Sequence, residues 1–295
     1  MQIGESMKHY IGKDYTEIIK SRKKKHDLSK VGVLKRKIDI KRLQNEIDSL
    51  LGDTKGKPIS YNSQTDKAST EHNYDLKDNS GKTFITNYDD AYKLYSHIGF
   101  QSLSDEATSV LPGYRDISEL SPRDRARGMK RTESKYYHPL YDERNYTKTT
   151  PYCTGYINEV INGFKSQSCR SSLVVLHPGK FLSPHFDIGA EYVVRLQIPV
   201  FTNEQSILGV KCKDGWEEYH LPSDGSIFFI NSAWEHYVYN KGGESRYQIR
   251  ICLHDQFDLE ELEDFKYTNI VPEPIFPTND LLDQSLTELF RSNYT

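Results

Sequence analysis

Residues 172–200 read SLVVLHPGKFLSPHFDIGAEYVVRLQIPV and residues 226–253 read SIFFINSAWEHYVYNKGGESRYQIRICL. Both stretches are rich in Val, Ile, Tyr and Phe, alternate with period two, and break at turn residues every few positions, which is the pattern of short half-buried strands. Together with the segment between them they divide into eight runs, at 172–176, 181–186, 192–200, 206–212, 216–221, 226–230, 235–240 and 245–253. The breaks fall at His177-Pro178-Gly179, Ile188-Gly189, Thr202-Asn203, Lys213-Asp214-Gly215, Pro222 to Gly225, Asn231-Ser232 and Lys241-Gly242-Gly243. No helical pattern intervenes, so the runs predict an antiparallel barrel or sandwich, and eight strands fit a jelly roll.

On either side of this core the period changes. Ile40, Leu43, Ile47 and Leu50 fall on one stripe of a helix expected from about residue 34 to 51. That stripe can pack on the body or pair with a copy of itself, which would make a homodimer through the N-terminal helix. Residues 52–82 are mostly Asp, Asn, Ser, Thr, Lys and Gly, too little apolar surface to offset ordering entropy, and read as a polar linker. Asp89-Asp90 and Ser121-Pro122 read as helix starts, and Tyr156, Ile157, Val160, Ile161 and Phe164 form a second amphipathic stripe. A last helix is expected on Leu281, Leu282, Leu286, Leu289 and Phe290. The expected organisation is a basic helical arm (1–51), the linker (52–82), a helical and irregular region packing on the core (83–168), the β core (169–256) and a helical extension (257–295).

The chain has 295 residues, 36% of them hydrophobic, with a mean hydropathy of −0.72. One large domain with solvated attachments suits those figures. No run of 18 apolar residues is present, and the first ten residues lack the apolar stretch of a signal peptide, so neither a membrane span nor classical secretion is expected. The four cysteines, Cys153, Cys169, Cys212 and Cys252, show no CxxC pairing and read as reduced thiols of a cytoplasmic protein. The net charge of −3 is uneven: residues 1–50 carry 13 Lys/Arg against 7 Asp/Glu, a surplus of six, which leaves a deficit of nine elsewhere. Clustered cations between Lys20 and Arg42 could meet nucleic acid, but a solvated helical face is the commoner cause, so nucleic acid is not the expected partner.

The chemistry lies in the β runs. In Ser183-Pro184-His185-Phe186-Asp187, the His and the Asp are two apart, so on extended chain they project to one face and offer a nitrogen and an oxygen to one metal. His236 opens a later run followed by Asn240, a Gly-Gly turn and Arg246. A late strand of a jelly roll can return beside an early one, so His236 can supply a third ligand. Two His and one carboxylate leave the opposite positions open, as in non-haem Fe(II) oxygenases; a zinc hydrolase is the competing metal site. A half-buried structural histidine between Trp234 and Tyr237 is the bland alternative. Alternation also places Arg195 with Gln197 on one face of its strand, and Arg246, Gln248 and Arg250 on one face of theirs. If those faces line the interior, buried guanidinium groups call for anions and suit carboxylates. If they face solvent, as polar faces of antiparallel sheets commonly do, they are ordinary surface charges.

The ordered string Leu176-His177-Pro178-Gly179, Pro184-His185-Phe186-Asp187, Val194-Arg195-Leu196-Gln197-Ile198-Pro199, Asp224-Gly225, Glu235-His236, Asn240 and Arg246 resembles the aspartyl/asparaginyl beta-hydroxylase family. The resemblance covers about residues 172–256. It implies a double-stranded β-helix (jelly roll, cupin-like) core with N-terminal and C-terminal helices, and an Fe(II)- and 2-oxoglutarate-dependent dioxygenase. Carried across residue by residue, it implies that His185, Asp187 and His236 hold iron, that Arg246 pairs with the distal carboxylate of 2-oxoglutarate, and that Arg195 lies near its iron-chelating end. Asp187 is present although some members lack this carboxylate. Gln197 stands where the family often has a histidine, and Val174 where some members place a serine, so contacts to co-substrate and substrate differ from the family pattern.

The implied reaction consumes O2 and 2-oxoglutarate, releases succinate and CO2, and hydroxylates an amino acid or a peptide or protein side chain, Asp- or Asn-like by family. Gln197, Gln248 and Arg250 are candidate substrate contacts. Residues 123–131, with Tyr136, Tyr137, Tyr141 and Tyr146 after them, could line the entrance, although surface solvation explains the charges more simply. Two other classes stay open: a catalytically silent cupin binding module, and a nucleic-acid-associated protein using the basic arm.

Overall fold

The structure, a computed structural model, describes residues 21–53, 76–77, 83–85, 95–102, 144, 146–179, 181–187 and 189–274. Its strands are β1 (Val31–Lys37), β2 (Leu76–Lys77), β3 (Thr83–Ile85), β4 (Tyr95–Gly99), β5 (Gln101–Ser102), β6 (Lys148–Thr149), β7 (Ser168–Leu176), β8 (Phe181–His185), β9 (Val194–Phe201), β10 (Ser206–Cys212), β11 (Gly215–His220), β12 (Ser226–Ile230), β13 (His236–Asn240), β14 (Arg246–Leu253), β15 (Leu262–Asp264) and β16 (Asn269–Val271). Two helices are described, α1 (Ile40–Asp53) and α2 (Gly155–Asn162).

All eight expected runs are strands, β7 to β14, and they divide evenly between two sheets. One sheet runs β15-β1-β12-β9-β14-β7-β4 and the other β16-β11-β10-β13-β8. Each of the eight crosses to the opposite sheet from its predecessor except at the β10–β11 hairpin, so early and late strands become neighbours: β7 beside β14, and β8 beside β13. This is the double-stranded β-helix.

The seven-stranded sheet is buried on both faces. Towards the other sheet it presents Val31, Leu176, Phe228 and Ile230, which pack with Leu208, Val210, Tyr219, Leu221 and Val238. Its outer face presents Leu173, Val175, Val194, Leu196, Ile198, Ile249 and Ile251 to Leu43 and Ile47 of α1 and to Ile157 and Ile161 of α2. The helices are fastened to one another by a carboxylate. Glu46 on α1 accepts the Tyr156 and Ile157 backbone N–H groups at 2.7 and 3.0 Å, satisfying donors that the first turn of α2 leaves open.

Several sequence expectations change here. The arm expected as helical from residue 34 is a strand through Lys37, added to the core sheet beside β12. Valines at 31 and 33 suit the pleat, and α1 begins only at Ile40, after Asp39 Oδ1 accepts the Arg42 N–H at 3.0 Å as a cap. Gly225 makes the join possible. Its φ of +87° closes the turn before β12, it accepts the Ile38 N–H at 3.0 Å, and a Cβ there would lie 2.4 Å from the Ile38 carbonyl oxygen. The β core is therefore wider than 169–256: β1, β4 and β15 all join it. Tyr95, which a helix started at Asp89-Asp90 would take in, instead starts β4. The described part of the supposed helical extension holds β15 and β16, while the stripe from Leu281 to Phe290 and the basic run 123–131 lie outside the described residues, as does most of the linker. The α1 stripe packs on the body, so Leu43 and Ile47 are already covered and offer nothing to a second copy.

The charge surplus of the arm is matched across the fold. Arg22, Lys30, Lys35, Arg36, Lys37 and Arg42 pair with Asp255, Glu217, Glu263, Asp258, Asp224 and Glu159, all on the acidic body. Exposed pairs such as Lys37–Asp224 contribute little each, but among the described residues they give six cations of the arm a counter-charge within the chain. Among the described residues no helix is long and apolar enough to cross a membrane.

Candidate metal centre

The β8–β13 ladder sets the geometry. His185, the last residue of β8, is the direct cross-strand partner of His236, the first residue of β13, and their ring centroids lie 4.4 Å apart. The ladder slips between His236 and Val238, a bulge of the kind that re-aims side chains beside sites. Asp187 follows two residues after His185. Its N–H donates to the Ser232 carbonyl at 2.9 Å, which ties it to the turn between β12 and β13. Ligand atoms of His185, Asp187 and His236 all lie within 4.8 Å of one another, a spacing that can close on one cation.

The His236 ring and the Asp187 carboxylate are each held by a neighbour. His236 Nδ1 lies 2.9 Å from the Trp234 carbonyl, so Nδ1 carries the proton and Nε2 is left with its lone pair for a metal. Burial, then the adjacent His185 ring, lowers the His236 pKa to about 4, so this imidazole is neutral, the form a metal needs. Burial works to raise the Asp187 carboxyl, but the guanidinium charge of Arg195 and, more weakly, that of Arg170 oppose it, and the group is held well below the usual carboxylate range. Arg195 Nε lies 3.7 Å from Asp187 Oδ2.

The arginine faces settle which way the sheet points. Gln197 is opposite Phe228 and Arg246 opposite Leu176, and both partners belong to the core between the sheets. The polar face of β9 and β14 is therefore the interior one, and the apolar face is the one the helices cover. Arg195 and Arg246 are each only 6% exposed, Gln248 is buried, and Gln197 and Arg250 are half-buried. Arg250 Nη2 approaches Ser172 Oγ at 3.3 Å. Arg246 has no anion near it among the described residues; its Nε makes no hydrogen bond, and burial alone pushes its pKa down to about 10. Gln197 Oε1 and Gln248 Oε1 are likewise buried without a donor. The interior face of this sheet thus carries buried polar groups able to meet polar or anionic partners.

A family model described as aspartyl/asparaginyl beta-hydroxylase matches residues 99–254, just over half of the chain. The chain belongs to the aspartyl/asparaginyl beta-hydroxylase family. The hydroxylase match reaches well before the 172–256 stretch on which the resemblance was read, taking in α2, which packs on the back of the sheet. Within it, the His185, Asp187 and His236 cluster is a place that could hold a metal ion.

No curated protein matches the chain by sequence. Solved structures similar to it include vicilin from Corylus avellana (9% identity, 31% of this chain and 25% of that one, TM-score 0.25). Oxalate decarboxylase from Bacillus subtilis (24%, 29% and 21%, TM-score 0.22) and the capsular polysaccharide assembling protein CapF from Staphylococcus aureus (16%, 34% and 26%, TM-score 0.24) are others. The chain spans about a quarter of the length of these proteins, and likenesses so slight carry nothing about what it does.

The sequence marks Asn231-Ser232 as a turn, but not that the carbonyls of Ser232 and Trp234 serve two of the three candidate ligands, because that depends on backbone geometry. It also gives no sign of Arg170, whose charge bears on Asp187 from the neighbouring sheet. Arg170 holds φ +47°, a left-handed conformation uncommon outside glycine.

Proposed function

We propose that this chain is an Fe(II)- and 2-oxoglutarate-dependent hydroxylase of an amino acid or of a peptide or protein side chain, Asp- or Asn-like. The observation that carries the reading is Arg246: a buried guanidinium with no anion among the described residues, on the interior face of the sheet that also carries Arg195 beside Asp187. Protein interiors do not keep such a charge unpaired without a use for it. The distal carboxylate of a small 2-oxo diacid matches its planar fork.

The donor set fits iron. His185, Asp187 and His236 would hold it from one side, leaving the remaining positions for the co-substrate and O2. When bound, iron and 2-oxoglutarate supply the oxidising power: one oxygen atom of O2 enters the substrate C–H bond as hydroxyl and the other enters succinate, with CO2 released. The rest is done by the chain. Arg246 fixes the far end of the diacid, and Arg195, beside Asp187, offers N–H groups to the near end. Gln197, Gln248 and Arg250 present polar groups along the same wall to the substrate, and Leu208, Val210, Phe228 and Val238 wall the interior against water. The four cysteines, three of them buried, form no disulfide among the described residues and support a reducing compartment, which we take to be the cytoplasm.

Anaerobic reconstitution with Fe(II) and 2-oxoglutarate, followed by exposure to O2 with panels of amino acids and peptides, tests the reading. Release of succinate with a product heavier by one oxygen supports it. Metal binding without succinate from any substrate pool leaves a silent binding module and overturns it.

A further inference from the structure

Residues 21–30 lie outside the family-matched region, yet they are fastened onto the turn that serves the metal centre. Asn231, 1% exposed, is the fastening point. Its side-chain amide donates to the Lys25 and Ser29 carbonyls at 2.9 and 3.2 Å, with Leu28 at 3.5 Å, and its backbone N–H donates to the Lys30 carbonyl at 2.9 Å. Its own carbonyl accepts the Trp234 N–H at 3.0 Å and so closes the turn. Within that turn the Ser232 carbonyl accepts the Asp187 N–H and the Trp234 carbonyl accepts the His236 ring N–H. On the other side of Trp234, Lys25 Nζ stands 4.0 Å from the indole centroid and His26 packs edge-on at 5.2 Å. Two of the three candidate ligands are thus aimed by carbonyls of one short turn, and residues 25–30 hold that turn from behind.

We propose that Asn231, with the 25–30 segment it clasps, is a positioning element of the metal centre and sets the affinity of His185, Asp187 and His236 for a divalent cation. The inference rests on the metal reading above and adds to it a control point remote from the ligands. Groups that orient metal ligands are worth about 10–100-fold in affinity. A purely architectural Asn231 would instead lower the melting temperature and leave the affinity of the folded protein alone.

The test is Co(II) titration of the full, metal-stripped chain, followed by its visible absorption bands, with melting temperature measured in parallel. Asn231→Ala is expected to bind Co(II) about 10–100-fold more weakly, with shifted bands. Lys25→Met, which removes only the cation over Trp234, is expected to weaken binding about threefold. Lys37→Ala, at the exposed Lys37–Asp224 pair, leaves it unchanged. Wild-type affinity in a folded Asn231→Ala overturns the proposal. If that variant does not fold, Lys25→Met decides, and unchanged binding there overturns it equally. Failure of the wild-type chain itself to bind Co(II) removes the metal reading and this inference together, an outcome distinct from the others.

Discussion

His185 and His236 are direct partners across the β8–β13 ladder, with their rings 4.4 Å apart. Residues distant in the chain meet because the double-stranded β-helix places its second and seventh strands side by side, and the Asp187 carboxylate joins them through a backbone bond to the Ser232 carbonyl. Replacing either imidazole leaves two ligands, too few to retain a first-row metal against water. His185→Ala and His236→Ala are each expected to lose more than about 100-fold in Fe(II) or Co(II) affinity while keeping the fold, a larger loss than orienting groups cause. Metal content after dialysis checks this; full stoichiometry in both variants would refute the assignment.

The same burial makes the metal-free protein acid-sensitive. The His236 pKa falls from 6.5 to about 4 on folding, so the unfolded chain takes up a proton that the folded chain refuses. Stability from this group is complete above pH 6.5, declines as pH falls towards 4, and changes no further below that. Between pH 7 and 5 the loss is about 2 kcal/mol. Urea unfolding in the presence of a chelator, at the two pH values, measures it. His236→Gln is expected to show a pH dependence smaller by about that amount, and equal slopes for the two proteins would dismiss the effect.

How much of this could be read from the residues alone depended on the kind of signal. The eight strands were legible because alternation is a local property, and 206–212 and 226–230 emerge with their bounds intact. The ligand cluster was legible because residue type restricts metal chemistry. The direction of the β9 and β14 faces was not: Arg195 and Val194 differ in polarity, but α1 and α2 cover the apolar face, so the usual rule that polar side chains of an antiparallel sheet meet solvent is inverted. The β1 strand was hidden because the helix expected from the stripe that starts at Ile40 takes in residues from 34 on, and only pairing with β12 reveals that the period has changed. The role of Asn231 within its turn was invisible for a different reason, since its partners are carbonyls of a segment some 200 residues away.

The α1 stripe gives a prediction in which stability and assembly part company. Ile47 is fully buried between α1 and the back of the sheet. Ile47→Ala is expected to cost about 2–5 kcal/mol by lost burial and the cavity left behind. Because the stripe faces inward, the oligomeric mass in sedimentation should be the same for wild type and variant. A wild-type dimer that dissociates in Ile47→Ala would mean that the stripe also reaches a second copy.

Arg246 offers the sharpest test, because two of its consequences have opposite signs. Its guanidinium is desolvated without a compensating anion, and the lowering of its pKa to about 10 by burial is the mark of that cost. Replacing a buried unpaired charge by an apolar side chain of similar length removes the penalty, so Arg246→Met is expected to stabilise the ligand-free protein by about 1–3 kcal/mol. The same change deletes the fork that would seat the distal carboxylate, and a charge-assisted bidentate contact in a dry pocket is worth about 2–3 kcal/mol, or a rise of some 30- to 150-fold in the 2-oxoglutarate concentration needed for half-saturation. Thermal unfolding without ligand and co-substrate titration of the same preparation read the two effects separately. Higher stability with an unaltered titration would show that the diacid sits elsewhere, whereas lower stability in the ligand-free state would show that Arg246 already has a counter-charge supplied within the chain.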